Sequence, residues 1–594
     1  MQLDSWPNLV AMFFDQARRG DDRPFLWAKR EGDWRSTTWA EAAGQVVDLA
    51  RALRAYGVAP GDRVLLVAEN SPEWAIADFA IMAAGAVTVP AYTTNTAADH
   101  IHLLTDSGAV AAIVTTAPLA GPLLAAARDA PDLERVITRD TPEEAAPEDV
   151  AVTPWHDALR AGSGNDDDIT GEAAAIGRDS LACLIYTSGT GGLPKGVMLS
   201  HRAMMANCVS AYHVLLELGL DDEVFLSFLP LSHSYEHSAG LMFPVSVGAQ
   251  IYYAEGIDRL ASNMVEVQPT IMTAVPRLYE VMRLRILDGV RRAGGLKAKL
   301  FGAAVRIGRK RYEQPASLSL GERLIDALVD KLVRDKVRGR FGGRLKAMVS
   351  GGAPLNYEVG VFFTALGLRL LQGYGQTEAA PVISCNIPSK IKLETVGPPL
   401  EGVEVRIAED GEILVRGALL MDGYWNQPET TAETLVDGWL HTGDIGLLDE
   451  DGYIRITDRK KDIIVLSGGD NVSPQRIEGI LCLEEEIEQA MVAGDKKKHL
   501  VGLIVPSQGF LDQWAKISGA KADMAALKDD PGVHKALGEA VTRANQGLSV
   551  IEQVKRFTLA EAPFTTDNEM MTPTMKNRRH KILAHYGDRI EALF

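Results

Sequence analysis

Four short stretches of this chain hold residues able to bind anions, carry charge or hold a cation. The first is Thr187-Ser188-Gly189-Thr190-Gly191-Gly192-Leu193-Pro194-Lys195-Gly196, which follows the apolar run Leu184-Ile185-Tyr186. Its glycines let backbone N–H groups turn toward one centre, and the hydroxyls of Thr187, Ser188 and Thr190 add donors. Lys195 adds a point charge suited to phosphate. The pattern is that of an anion cradle, although glycine content alone also suits a flexible connector. It is neither a Walker A loop, whose lysine precedes Ser or Thr, nor a Rossmann fingerprint.

The second stretch is Gln372-Gly373-Tyr374-Gly375-Gln376-Thr377-Glu378, just after a strand-like run from Leu368 to Leu371. Ligands in open α/β sheets bind beyond the carboxyl ends of strands. There Tyr374 suits stacking on a base, and Glu378 suits a hard cation such as Mg²⁺. The third is Gly438-Trp439-Leu440-His441-Thr442-Gly443-Asp444, a carboxylate after a glycine turn, able to accept from ribose hydroxyls. The fourth, His233-Ser234-Tyr235-Glu236-His237, matches H-x-x-E-H, an inverted zinc-protease pattern. Zinc chemistry would need a third ligand and an open position. Leu229-Pro230 also interrupts the long helix that such a pattern uses. Taken singly, each stretch is equally a turn with a satisfied polar group. No G-x-S-x-G elbow supports a serine hydrolase.

The elements that must position these residues read as alternating strands and helices. Arg63-Val64-Leu65-Leu66-Val67 suits a strand buried on both faces. Ser71-Pro72-Glu73 supplies an N-cap, a proline at the first helical position and an early acid. Ala86 to Pro90 then reads as the next strand. The grammar recurs with a strand at Leu345 to Val349, a helix at Tyr357 to Leu366 and a strand at Leu368 to Leu371. Gly402 to Arg416 turns to alternation, with Val403, Val405 and Ile407 on one side. The expected class is α/β. It comprises a large N-terminal domain of doubly wound sheets with a small β-barrel-like unit, then a small mobile α+β C-terminal domain. Pro142 to Ser180, with Asp166-Asp167-Asp168, reads as a solvated excursion. Asp458-Arg459-Lys460-Lys461-Asp462 reads as a hinge after a strand from Tyr453 to Ile456. The expected division is 1–460 and 461–594.

The 594 residues are 46% hydrophobic and 24% charged, an ordinary globular balance. At roughly 150 residues per domain, the length suits about four folding units. The net charge of −18 argues against nucleic acid as a partner. Cys183, Cys208, Cys385 and Cys482 are too scattered for a zinc ribbon or a disulfide framework. No basic region and apolar run open the chain, and no apolar stretch reaches the length of a membrane span. The expectation is a cytoplasmic protein. One basic island, Arg283 to Arg311, could bring it to the inner face of a membrane as a peripheral contact, or be a solvated helix packed on the body.

Together and in order, these motifs resemble the adenylate-forming superfamily of acyl-CoA synthetases, peptide-synthetase adenylation domains and luciferases. Further matches are Ser350-Gly351-Gly352-Ala353-Pro354-Leu355 and Asp458-Arg459-Lys460-Lys461-Asp462. The length, the segment from Val281 to Arg344, and Thr572-Pro573-Thr574-Met575-Lys576 look most like long-chain fatty acyl-CoA synthetases. The resemblance implies ATP-dependent joining of a fatty acid to CoA through an acyl-adenylate, with ATP, Mg²⁺ and CoA. The implied substrates are small molecules, and an oligomer is open. Alternatives of the same kind are loading of an acyl carrier protein, or ligation of a shorter or aryl acid. An alternative of another kind is a catalytically silent nucleotide-binding protein.

The same resemblance implies roles for single residues. Thr187 through Lys195 would hold the β- and γ-phosphates. Gly352, Ala353 and Pro354 would line the adenine, with Tyr374 and Gly375 beside it. Thr377 would contact the α-phosphate, Glu378 would bind Mg²⁺, and Asp444 and Arg459 would hold the ribose. Lys576 would stabilise charge as the acyl-phosphate bond forms, with His233 near the carboxylate and His237 at the tunnel mouth. Lys461 would be the hinge, and Gly468 and Gly469 would replace Lys576 for thioester formation. Two departures stand out. Gly191 replaces a second threonine, and Met575 rather than glycine precedes Lys576, which makes Lys581 a competitor that the Thr-Pro-Thr context disfavours.

Overall fold

The computed structural model describes residues 5–187, 193–460, 463–519, 521–572 and 575–594. The expected strand–helix grammar is realised from its first unit. Arg63–Val67 is a strand, Ser71 accepts the Trp74 N–H at 3.3 Å, and Pro72 opens the helix Pro72–Ala83. Val87–Ala91 then lies parallel to Arg63–Val67.

Two eight-stranded sheets form the body. In one, Gly423–Tyr424, Lys195–Ser200, Leu181–Thr187, Val87–Ala91, Arg63–Val67, Ala109–Val114, Arg135–Thr138 and Ala151–Pro154 lie side by side. In the other the order is Val382–Cys385, Leu370–Gly375, Ala347–Ser350, Ile271–Ala274, Val224–Ser227, Gln250–Tyr253, Pro24–Arg30 and Asp33–Thr38. Both are parallel at the centre and antiparallel at an edge. Helices cover them, as parallel sheets require. Buried residues such as Phe13, Trp39, Trp74 and Phe79 form the core between them. The alternating Val403–Ile407 run pairs antiparallel with Glu412–Gly417 inside a five-stranded unit. The C-terminal part is α+β: a three-stranded sheet of Ile487–Ala493, Leu500–Pro506 and Val554–Leu559 with its own apolar clusters. The fold class is therefore the one expected.

Two local expectations need correction. The segment from 142 to 180 is not all excursion. It supplies the edge strand Ala151–Pro154 and the helices Trp155–Ser163 and Ile169–Ala173, anchored by buried Trp155, Ala158, Ile169 and Ala173. Its acidic run stays exposed. The strand ending at Ile456 instead runs Ile454–Arg459, because its ladder continues until Arg459 stands opposite Asp444. The basic island packs on the body in part, while Arg285, Arg292, Lys297, Lys299 and Arg306 stay exposed. Arg309 meets Glu358 at 2.6 Å, Lys310 meets Glu322 at 2.8 Å, and Phe301 and Ile307 are buried.

The helix Pro276–Ala293, which begins before the island, holds the C-terminal part. Arg277 donates to the Glu488 carbonyl at 2.6 Å, Arg283 donates to the Leu483 carbonyl at 3.2 Å, and Arg291 pairs with Glu485. Asn356 adds a bond to the Gly479 carbonyl at 3.1 Å.

Candidate active site

The two large sheets and the five-stranded unit send residues to one place. The strand Leu370–Gly375 carries Tyr374, which is buried and donates its hydroxyl to Asp444 Oδ2 at 2.7 Å. Asp444 lies on Trp439–Leu448 and meets Arg459 Nε at 3.3 Å across the ladder. Burial, followed by the Asp444 charge, pushes the Tyr374 phenol well up, so it stays a neutral donor. Gly375 is glycine for a local reason: a Cβ there would sit 1.8 Å from the Pro381 carbonyl oxygen. After the strand Ala347–Ser350, Gly352 turns the chain at φ +83°, and Ala353 and Pro354 stand exposed.

The cradle's two ends are also in place. Thr187 ends one strand and Lys195 begins the next, opposite each other in an antiparallel pair. The short strand Gly423–Tyr424 pairs with Lys195–Ser200 and sets the Tyr424 ring 5.1 Å beneath the Lys195 ammonium. The Tyr424 hydroxyl donates to Glu378 Oε1 at 2.7 Å, and no hydrogen bond among the described residues reaches the other oxygen. A half-buried carboxylate with an available oxygen beside an anion site fits Mg²⁺, which takes one or two carboxylates plus phosphate oxygens. Ser188, Gly189, Thr190, Gly191 and Gly192 lie outside the described residues.

The fourth stretch faces the same centre. The Ser234 and Thr377 hydroxyls are 2.9 Å apart. His233 Nδ1 accepts the Tyr235 N–H at 3.1 Å, which leaves the ring proton on Nε2. Desolvation, then the Lys576 charge, pushes the His233 imidazole down to about 3. Met575 packs against the cluster of Leu229, Tyr235 and Val275, which sets Lys576 near enough for its charge to act on His233. Lys581 instead pairs with Glu569 at 2.7 Å within the C-terminal part.

The zinc pattern finds no geometry. Glu236 is fully buried and accepts from Thr273 at 2.6 Å, while His237 Nε2 meets Asp78 at 2.8 Å. With His233 held by backbone, the three side chains have separate partners. Among the described residues no three His, Cys, Asp or Glu side chains gather as a metal cage. His237 is also not at a mouth: it and Asp78 are wholly buried, because an apolar core tolerates two ionisable groups only as a pair.

The Tyr374–Asp444–Arg459 group thus shares a site with a partly buried histidine and with the Lys576 charge. The family model of the AMP-binding enzyme matches residues 13–425, and that of the AMP-binding enzyme C-terminal domain matches 461–594. The chain belongs to the AMP-binding enzyme family. It is 35% identical to a long-chain-fatty-acid–CoA ligase of Mycobacterium bovis, over 99% of this chain and 97% of the relative. It is 31% identical to the peroxisomal long chain acyl-CoA synthetase 6 of Arabidopsis thaliana, over 95% and 82%. The adenylation domain of a carboxylic acid reductase from Segniliparus rugosus, solved with AMP and a co-purified carboxylic acid, shares the fold. Its TM-score is 0.76 at 21% identity, over 99% of this chain and 94% of that one.

For an AMP-binding enzyme, one part of the expected set stands apart in this structure. Gly468 and Gly469 occupy the exposed tip of the hairpin Ile464–Val465 and Asn471–Val472, where Ser467 bonds to the Lys497 carbonyl of the same part. Lys461 lies outside the described residues. Two participants were missed in the sequence. Ser234 lay in a quoted stretch, but its contact with Thr377 spans 143 residues. Tyr424 follows a glycine in an unremarkable stretch, and only long-range strand pairing brings it under Lys195. No spacing signal encodes either contact.

Proposed function

We propose that this AMP-binding enzyme is an ATP-dependent long-chain fatty acid–CoA ligase. The carrying observation is the convergence of His233, Ser234, Thr377 and Lys576 beside the Tyr374–Asp444–Arg459 group. The whole-length likeness to two long-chain ligases supports the acid and the thiol.

In the first half-reaction a carboxylate oxygen of the acid attacks the α-phosphorus of ATP. The bond to the bridging oxygen breaks, and pyrophosphate leaves with the electron pair. Asp444 and Arg459 hold the ribose, Tyr374 and residues 352–354 bound the base, and Thr187 through Lys195 hold the outgoing phosphates. Mg²⁺ on Glu378 would neutralise phosphate charge when bound. His233, neutral with Nε2–H outward, positions the carboxylate by donating to it. Lys576 places a fixed cation where negative charge develops. In the second half-reaction the CoA sulfur attacks the acyl carbonyl, AMP leaves, and the thiol proton passes to solvent. Residues 461–594 form a second domain that turns about Lys461 and brings Gly468 and Gly469 in place of Lys576.

Exchange of labelled pyrophosphate into ATP with oleate tests the first step alone. Lys576→Ala should lower exchange about a hundredfold or more, with ATP affinity held within about threefold. Lys581→Ala should match the parent protein. Normal exchange in Lys576→Ala, or loss in Lys581→Ala, would overturn the lysine assignment.

A further inference from the structure

The helix Leu320–Val329 is turned inside out for a helix packed on a protein body. Ions hold its inner side: Lys310 meets Glu322 at 2.8 Å, Arg311 meets Asp326 at 3.2 Å, and fully buried Arg334 meets Asp326 at 2.7 Å. Leu320, Leu324 and Leu328, four residues apart on one face, are 79%, 76% and 52% exposed. Ile325 and Leu332 widen this stripe and are also exposed. Monomeric soluble proteins rarely leave such a row uncovered unless something binds it.

The surroundings say what binds. From Arg283 to Arg340 the chain has sixteen Lys and Arg against six Asp and Glu, in a protein of net charge −18. The acids of the helix are consumed by the inner ion pairs. Arg323, Lys331 and Lys336 are exposed and pair with no carboxylate among the described residues, as do Lys297 and Lys299 on the neighbouring helix Gly295–Glu313. Aliphatic side chains flanked by cations are the two halves of binding to an anionic lipid surface. A second copy fits poorly. A two-fold contact sets the same patch against itself, which would press two cationic regions together. A stripe of five side chains also falls short of the about 800 Å² per partner that a stable interface buries.

We propose that the stripe from Leu320 to Leu332 docks this protein onto an anionic bilayer surface. The leucines enter the headgroup boundary, and the flanking lysines and arginines meet lipid phosphates. Among the described residues no helix is long and apolar enough to cross a membrane, so the contact is peripheral. The proposal rests on the ligase reading for its purpose, since a long-chain acid partitions into the bilayer from which the enzyme would take it.

Flotation of the full-length protein with vesicles of equal parts phosphatidylglycerol and phosphatidylcholine tests it. The protein should float with them at low salt, and about tenfold less with pure phosphatidylcholine or at high salt. The triple variant Leu320→Ser, Leu324→Ser, Leu328→Ser changes exposed positions only. It should float about tenfold less yet turn over dissolved octanoate as the parent does. Failure of the parent to float, or equal flotation of the variant, would overturn the proposal. So would a dimer in sedimentation that the triple variant dissolves. Flotation needs no turnover, so absence of acyl-CoA formation would overturn the ligase reading and leave the docking result standing.

Discussion

Lys576 and Lys581 are five residues apart, yet one acts on His233 and the other is tied to Glu569. Their types were legible in the sequence, and their surroundings were not. The same holds for Tyr374 and Asp444, seventy residues apart and joined by one hydrogen bond. Tyr374→Phe should cost about 1–2 kcal/mol in urea unfolding, because a buried carboxylate oxygen loses its donor. It should also raise KM for ATP more than it lowers kcat. An unchanged KM would separate the pair from the nucleotide. Glu236 makes a second prediction. Burial pushes its carboxyl up to about 7, against the opposing bond from Thr273. Between the ordinary value of 4.5 and about 7 the folded state holds a proton that the unfolded chain has released. Stability from this group is therefore full in acid and lost as pH rises through that window. Glu236→Gln should gain about 2 kcal/mol over the parent between pH 5 and pH 8. A constant difference across that range would show that Glu236 does not titrate there.

The segment after His233 is where element and site meet. His237–Met242 is a π-helical turn, and the buried His237–Asp78 pair pins it to the helix Pro72–Ala83. That turn and the short helix Ser234–Glu236 before it set Ser234 against Thr377. His237→Ala should cost about 3 kcal/mol in denaturant unfolding, because the Asp78 carboxylate stays buried without its partner. Adding Asp78→Ala should restore part of that loss. Simple additivity would mean that the two side chains do not act as a pair. Most strands and helices near the site were legible, since short apolar runs and the Ser71-Pro72 start are local signals. The π-turn was not, and the partner that pins it lies 159 residues away. The charge of Asp78 within an apolar run was the one trace of it. The 142–180 segment was misread for a related reason: composition spoke for solvent, while five buried apolar side chains, Val150 among them, decided the packing.

Across the whole molecule, the helix Pro276–Ala293 and the acidic run from Glu484 to Glu488 clasp the C-terminal part to the body. Arg277 and Arg283 grip backbone carbonyls, and Arg291 pairs with Glu485. Arg277→Ala with Arg291→Ala should speed hydrogen exchange in the helix Pro474–Leu481 about tenfold, an opening eased by about 1.4 kcal/mol. Unchanged exchange would mean that the clasp does not hold the C-terminal part. The basic island was plain in the sequence, but three-dimensional pairing was needed to show which of its cations are held by carboxylates and that the exposed leucines fall on the next helix. The central claim is the reaction. Its most direct test is mass spectrometry of the products from MgATP, CoA and straight-chain acids from acetate to oleate. The ligase should give acyl-CoA and AMP in equal amounts, with yield rising toward the long acids. Pyrophosphate without acyl-CoA, or a peak at acetate, would contradict it.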